Sequence, residues 1–377
     1  MQGGCTGVHP YDLPDFATPS YKRHFNNIVT TNIPSIMKNI RIIYLLFLLV
    51  LLAPAARAGD KKAVAAGNSH ALVLKTDGSL WAFGKNDSGQ LGDGTTQFRS
   101  EPVKVLDHVR QMSTGGHFSM ALLEDGTLWT WGCNNSGELG DGTNTSRLRP
   151  QKIMDGISSI DAGFWHALAV GNDGTLWAWG WNGDGELGDG SDINRNVPVR
   201  VMTGVKQASA GYRWTAAVKT DGSLWVWGDD VSKNNDRWVV TTRRRSPVKM
   251  LDGVRQVSVG TSHILAVMAD GRLMAWGHND FGQLGDGTTD RQDTPVKIMD
   301  GVDKACAGWC YSLVRRNDGS LWGWGGNNDG ELGIGNRDDQ LRPVRIAAKV
   351  GDFAAGLGVS LWITPAGELN ITGKITD

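Results

Sequence analysis

Apolar residues along most of the chain come in short runs of four to seven, each bounded by Gly, Asn, Asp or Pro. The runs are rich in Val, Leu, Trp and Ala. They are too short for helices and predict strands. Within one unit the order is fixed. A run ending in Gly ("AVAAG") is followed by a second ("HALVLK"), an Asp-Gly pair, and a third ("SLWAFG"). A long Gly/Asn/Asp segment then leads to a short Pro-containing run ("EPVKVL"). These are named strands A, B, C and D. Asp-Gly between two apolar runs predicts a tight hairpin, because both turn positions reach positive φ cheaply.

The phrase "DGxLWxWG" begins at Asp77, Asp125, Asp173, Asp221, Asp270 and Asp318, and a degraded copy, "AGELNITG", at Ala366. The steps are 48, 48, 48, 49, 48 and 48 residues. Strands apolar on both faces must be covered on both sides. Four strands per unit at this period predict the blades of a β-propeller, each covering its neighbours. The fold class expected is therefore all-β, a seven-bladed β-propeller of about 48-residue repeats. The seventh unit stops after strand C, so the last blade is expected to be three-stranded, with strand C (about Glu368 to Thr372) as an open edge. Closure must then rest on packing between blades seven and one. Trp177 and Trp179 lie at i and i+2 and share one face of strand C. The same pairing at Trp129/Trp131, Trp225/Trp227 and Trp322/Trp324 predicts a ring of packing between blades.

The motif "GxxHALxL…DGxLWxWGxNxxGQLGDG…xPVKV" resembles the regulator of chromosome condensation repeat. The resemblance covers about Lys62 to Lys374. It implies a seven-bladed propeller that works as a binding surface, with no single partner class implied. The Gly-Gln/Glu-Leu-Gly signature stands at Gly89–Gly92, Gly137–Gly140, Gly185–Gly188, Gly282–Gly285 and Gly330–Gly333. The fourth unit replaces it with "DDVSKNNDRWVVTTRRRS".

The amino-terminal region differs. From Met37, "MKNIRIIYLLFLLVLLAPAARA" has a positive start (Lys38, Arg41), an apolar core over 42–52, and a small-x-small ending at Ala56-Arg57-Ala58. This predicts a secretory signal peptide over 37–58 and a propeller over 59–377. The apolar core is shorter than a membrane span of about 20 residues. Residues 1–36 read as an extension upstream of the true start at Met37; an uncleaved signal anchor is the alternative. The expected location is secreted, periplasmic or cell-envelope.

Charge and chemistry narrow the function. With 38 Lys+Arg against 39 Asp+Glu, the chain lacks the basic excess typical of nucleic-acid binders. The slot opening strand B holds His70, His166 and His263, but also Phe118, Trp214, Tyr311 and Val359. That mixture predicts packing histidines. The acidic loops lack the spacing of a calcium loop and read as Asx-turns. Cys133, Cys306 and Cys310 form no disulfide framework, although Cys306 and Cys310 are close enough in sequence to pair. No cofactor, metal or enzyme activity is expected.

Candidate binding residues are those that break the repeat. Trp165, Trp214 and Trp309 fall at A–B connections, and Trp181 and Trp238 in C–D loops. In an up-and-down blade these connections share one face. Phe164, Tyr212 and Arg213 join them, and blade four adds Lys233, Arg237, Arg243, Arg244 and Arg245. Trp, Tyr and Arg dominate binding hot spots. The expected function is a non-enzymatic module recognising an extracytoplasmic protein, such as an enzyme that it inhibits or an envelope component. Binding of an anionic glycan or envelope polymer by the Arg/Trp loop of blade four is the alternative. An enzyme with a site at the channel mouth is the remaining one. The chain is expected to be a monomer or to self-associate weakly through the blade-seven edge.

Overall fold

The computed structural model describes residues 61–234 and 237–374; the side chains of 61, 62 and 230–242 lie outside the described residues. The expected signal peptide and upstream extension also lie outside them. Among the described residues, twenty-seven strands form seven antiparallel sheets. Blade one holds β1 (Lys61–Ala66), β2 (His70–Lys75), β3 (Leu80–Gly84) and β4 (Arg99–Leu106). Blade two holds β5 (Val109–Thr114), β6 (Phe118–Leu123), β7 (Leu128–Gly132) and β8 (Arg147–Met154). Blade three holds β9 (Ile157–Ala162), β10 (His166–Gly171), β11 (Leu176–Gly180) and β12 (Arg195–Met202). Blade four holds β13 (Val205–Ala210), β14 (Trp214–Lys219), β15 (Leu224–Asn234) and β16 (Arg237–Leu251). Blade five holds β17 (Val254–Val259), β18 (His263–Met268), β19 (Leu273–Gly277) and β20 (Gln292–Met299). Blade six holds β21 (Val302–Ala307), β22 (Tyr311–Arg316), β23 (Leu321–Gly325) and β24 (Gln340–Ala347). Blade seven has three strands, β25 (Asp352–Ala355), β26 (Val359–Ile363) and β27 (Leu369–Gly373).

The Asp-Gly turns behave as expected. Gly174 takes φ 76°, and Asp173 Oδ1 accepts the Thr175 amide at 2.9 Å. The side-chain acceptor and the left-handed glycine together reverse the chain in two residues.

The core lies between blades. At the seam of blades two and three, Phe118, Met120, Leu122 and Leu128 pack against Ala167, Ala169 and Trp179, and Ile153 and Met154 of β8 cover the outside. The second tryptophan of each pair is fully buried: Trp131, Trp179 and Trp324 at 0% and Trp227 at 1% exposure. The first is only half-buried, and in Trp129, Trp225 and Trp322 its Nε1 donates to the Ser or Thr of its own turn, as from Trp129 to Thr127 Oγ1 at 3.0 Å. The two members of a pair share a face but differ in depth.

The buried indole reaches backwards along the chain. Trp131 Nε1 donates to the Gln90 carbonyl at 2.9 Å, Trp179 to Glu138 at 2.8 Å, Trp227 to Glu186 at 2.7 Å and Trp324 to Gln283 at 2.9 Å. Each acceptor belongs to the C–D loop of the preceding blade. Blade seven, with no tryptophan in this slot, makes the same bond with Thr372 Oγ1, which donates to the Glu331 carbonyl at 3.0 Å.

Among the described residues, ring closure is by face packing, as expected. Val64, Ala71, Val73 and Phe83 of blade one meet Ala354, Val359, Leu361 and Ile363 of blade seven. The strand-B histidines are packing residues. His70, His166 and His263 are at most 3% exposed, and Nε2 of each lies 2.9 Å from a hydroxyl of the next blade, Ser119, Thr215 or Ser312. Each hydroxyl donates its proton to a loop carbonyl. The histidine must therefore donate from Nε2, which leaves Nδ1 as the bare nitrogen. Cys306 and Cys310 are free thiols and do not pair.

Candidate interaction face

The A–B and C–D connections lie side by side in each of the six four-stranded blades. The residue after strand C donates its amide to an A–B carbonyl: Cys133 to His117 at 2.9 Å, Trp181 to Trp165 at 2.9 Å and His278 to Ser262 at 2.9 Å. These connections, where the irregular residues were expected, therefore open on one face of the disc.

The C–D loop is a built object. Asn182, fully buried, accepts the Leu187 amide at 2.9 Å through Oδ1. Its Nδ2 donates to Asp189 Oδ1 at 3.2 Å. Asp189 then caps the Ser191 amide at 2.9 Å and pairs with Arg195, whose Nε lies at 2.8 Å. Asn86, Asn134, Asn279 and Asn327 accept the Leu91, Leu139, Leu284 and Leu332 amides in the same way. The Asx-turn reading of the acidic residues agrees with this. Sequence reasoning misses the central asparagine, although its fixed place two residues after the strand-C glycine is a signal.

Blade four departs from expectation. Its Arg/Trp segment was expected to be a loop, but β15 and β16 continue as a paired hairpin. Asp229 pairs with Arg243, Asp230 with Thr242, Val231 with Val240 and Asn234 with Arg237. Strand C of the other complete blades ends at the equivalent of Gly228, so six further residues carry the arm about 20 Å outward at ~3.3 Å per residue. Val239-Val240-Thr241-Thr242 explains the change, because β-branched residues favour extended pairing over an open loop. The backbone of Arg237 and Trp238 is placed in β16, Trp238 opposite Lys233; the side chains of all three lie outside the described residues.

At the foot of the arm an aromatic cluster joins blades two to four. Phe164 stacks edge-on against Trp165 at 4.9 Å and Tyr212 at 5.2 Å between ring centroids. His117 lies 5.9 Å from Trp165, and the Arg213 guanidinium sits 5.6 Å from the Tyr212 ring. Phe164 is half-buried, whereas Trp165 and Tyr212 are each 7% exposed. They form the floor of the cluster and Phe164 its accessible part. Trp181 is half-buried beside Gly183. Trp214 is separate from this surface. It opens β14, packs in the seam of blades four and five, and donates Nε1 to the Asp229 carbonyl. Trp309 occupies in blade six the place that Phe164 and Tyr212 occupy in blades three and four, so it shares the face at a distance from the cluster.

Beneath the cluster lies a charged group. Asp184 is 2% exposed and lies 3.6 Å from Arg213 Nε; Asp229, at 0%, lies 3.1 Å from Arg243 Nε. Burial pushes Asp229 up to about 6 against the pull of Arg243. Burial also raises Asp184, opposed by Arg213 and Arg243. Glu186 is driven well above the carboxylate range by burial, with Asp184 adding to the shift. The arginine run is thus partly neutralised: Arg243 pairs with Asp229 and Arg245 Nη2 with Asp192 at 2.5 Å. Arg244 lines a small cavity together with Trp276, Arg291 and Asp293 of the blade-five side. Among the described residues no group of three or more His, Cys, Asp or Glu is arranged to hold a metal ion.

Comparison with known proteins accords with this architecture. Residues 51–301 match the RCC1-like domain, and residues 318–362 match the regulator of chromosome condensation (RCC1) repeat. A 39-residue stretch is 46% identical to the Danio rerio protein RCC2 homolog, covering 10% of this chain and 8% of that protein's length. Among solved structures, human WBSCR16 superposes with a TM-score of 0.70 at 24% identity, over 79% of this chain and 85% of that one. Prp20p from Saccharomyces cerevisiae, studied for its binding to Gsp1p and histones, gives 0.68 at 21%, over 82% and 81%. At these identities the structural likeness speaks for the fold. The match over residues 51–301 spans most of the chain and its geometry is that of the seven blades described above: the chain belongs to the RCC1-like domain family.

Proposed function

We propose that this propeller is a non-enzymatic binding module that grips an extracytoplasmic protein with its A–B/C–D face. The observation that carries the reading is the blade-four hairpin standing on that face beside the Phe164 cluster. A projecting arm next to a rigid aromatic floor suits a protein partner, because hot spots are aromatic and arginine anchors held in place by their neighbours. That yeast Prp20p is a protein binder agrees with this use of the fold. Pairing of Arg243 and Arg245 with carboxylates weakens the anionic-polymer alternative, since compensated arginines attract a polyanion less. The leader over 37–58 supports export, with Gly59 as the first mature residue.

The test replaces residues 231–240 by Asn-Gly, closing the hairpin short. The wild type should capture a protein from the envelope fraction that the short-armed variant, with an unchanged melt, fails to capture. Equal capture by both would end the reading. Capture that vanishes for both at raised salt would favour the polymer.

A further inference from the structure

Blade seven copies the other blades through strand C. Val359 pairs with Gly373 and Ile363 with Leu369, the register of His166 with Gly180 and Val170 with Leu176. Thr372 makes the bond to the preceding loop that a tryptophan makes elsewhere, and the Lys374 amide donates to the Gly358 carbonyl at 2.9 Å. The outer edge of β27 is therefore set where strand D pairs in every other blade.

The seam packing shows what that edge lacks. Strand D closes each of the other six seams with two apolar residues: Val105/Leu106, Ile153/Met154, Val201/Met202, Met250/Leu251, Ile298/Met299 and Ile346/Ala347. The seam of blades seven and one has no such pair among the described residues; Leu369 and Ile371 of β27 stand at its margin. The element that fills this place in the other blades is a strand with a defined sequence pattern. Five of the six strands D read Pro-Val-basic-apolar-apolar, and β8 differs only in Gln151 for Val.

We propose that β27 accepts an extended segment of another protein, donated in trans, that carries this Pro-Val-basic-apolar-apolar pattern and completes blade seven. A second copy of this chain fits less well, because its six described strands D are already paired within their own blades. Main-chain bonds to β27 would supply affinity, and the apolar pair seated on the blade-one seam would supply specificity. This edge lies on the rim, away from the Phe164 cluster, so the inference stands or falls separately from the function proposed above.

The probe is a synthetic peptide of residues 192–202, the strand-D segment of blade three, added to the intact protein. The control peptide carries Val201→Asp and Met202→Asp. Hydrogen exchange is read at the outward amides of 369–373, with 176–180 as the internal reference and light scattering for mass. The cognate peptide should slow exchange at 369–373 at least tenfold and saturably, and the control should leave it unchanged. Equal protection by both peptides, or by neither at millimolar concentration, overturns the proposal. So does edge protection equal to that of 176–180 before any peptide is added, which would mean that this chain or a second copy already covers the edge.

Discussion

Gly140 of blade two lies under the indole of Trp179 of blade three: a Cβ on Gly140 would sit 2.8 Å from the indole Nε1. Gly92, Gly188 and Gly285 face Trp131, Trp227 and Trp324 in the same way. The smallest and largest residues of the repeat thus meet across seams. Gly140, at φ +72°, needs both a left-handed backbone and empty space, whereas Gly142, at φ +80°, has its nearest neighbour at 3.8 Å. Gly142→Ala should cost about 1 kcal/mol of backbone strain. Gly140→Ala adds overpacking and should cost about 2–4 kcal/mol. Urea titration of both variants checks the difference.

The buried indole should matter more than the one in the loop. Trp179→Ala is expected to destabilise by about 3–5 kcal/mol, and Trp181→Ala by much less. Trp179→Phe keeps most of the packing but strands the Glu138 carbonyl, at about 1–3 kcal/mol. Equal melting of the two alanine variants would refute the division between core and face.

Two sets of buried groups give stability opposite pH slopes. Burial pushes Glu138 up to about 7 from its ordinary 4.5. Between those values the folded form keeps a proton that the unfolded chain has released, so stability falls as pH rises from 4.5 to 7 and stays low above. Gln90 and Gln283 fill the same slot in blades one and five, so Glu138→Gln should fit. It should stabilise by up to roughly 3 kcal/mol above pH 7 and by little at pH 4. His166 runs the other way. Burial lowers it to about 3 from 6.5, so the unfolded chain binds the extra proton and stability falls as pH drops from 6.5 to 3. His166→Phe, which copies the Phe118 of blade two, should make that acid limb shallower, with His70 and His263 retaining their share. Thermal melts from pH 4 to 9 separate the two effects.

Blades one and seven should exchange amide hydrogens fastest. Among the described residues their seam lacks the outer apolar pair present at the other six, and thinner local packing opens at lower free energy. Native-state exchange showing blade four or five opening first would contradict this.

Periodicity made most of the fold readable. The turns, the strand order, the three-stranded last blade and closure by packing were all legible, because each follows from one unit written seven times. Boundaries moved by a residue or two: β1 starts at Lys61 rather than about Ala63, and β27 runs Leu369–Gly373 rather than Glu368–Thr372. That A–B and C–D connections lie beside each other was legible from the up-and-down order. The depth of the irregular aromatics was not, because neighbouring positions in one A–B connection can point up or down. Phe164 stays partly open while Trp165 beside it is buried, and Trp214 begins a strand and enters a seam. The arm of blade four hid behind its charges, which drew the eye from the β-branched run. The Gly140–Trp179 contact joins residues 39 positions apart and becomes visible only once blade spacing is known.

The backward bond from each buried indole also bears on how such rings change over generations. Trp131, Trp179, Trp227 and Trp324 each reach an acceptor 41 positions earlier, and Thr372 keeps the same interval. Every junction of this type is chemically interchangeable. Recombination that inserts or removes one whole period joins an old acceptor to an equivalent donor and leaves no mismatched joint. A cut at any other interval orphans a carbonyl on one side and an indole on the other. The constraint on blade number therefore falls on the geometry of closing the circle, while the local joints are indifferent to how many copies the gene carries.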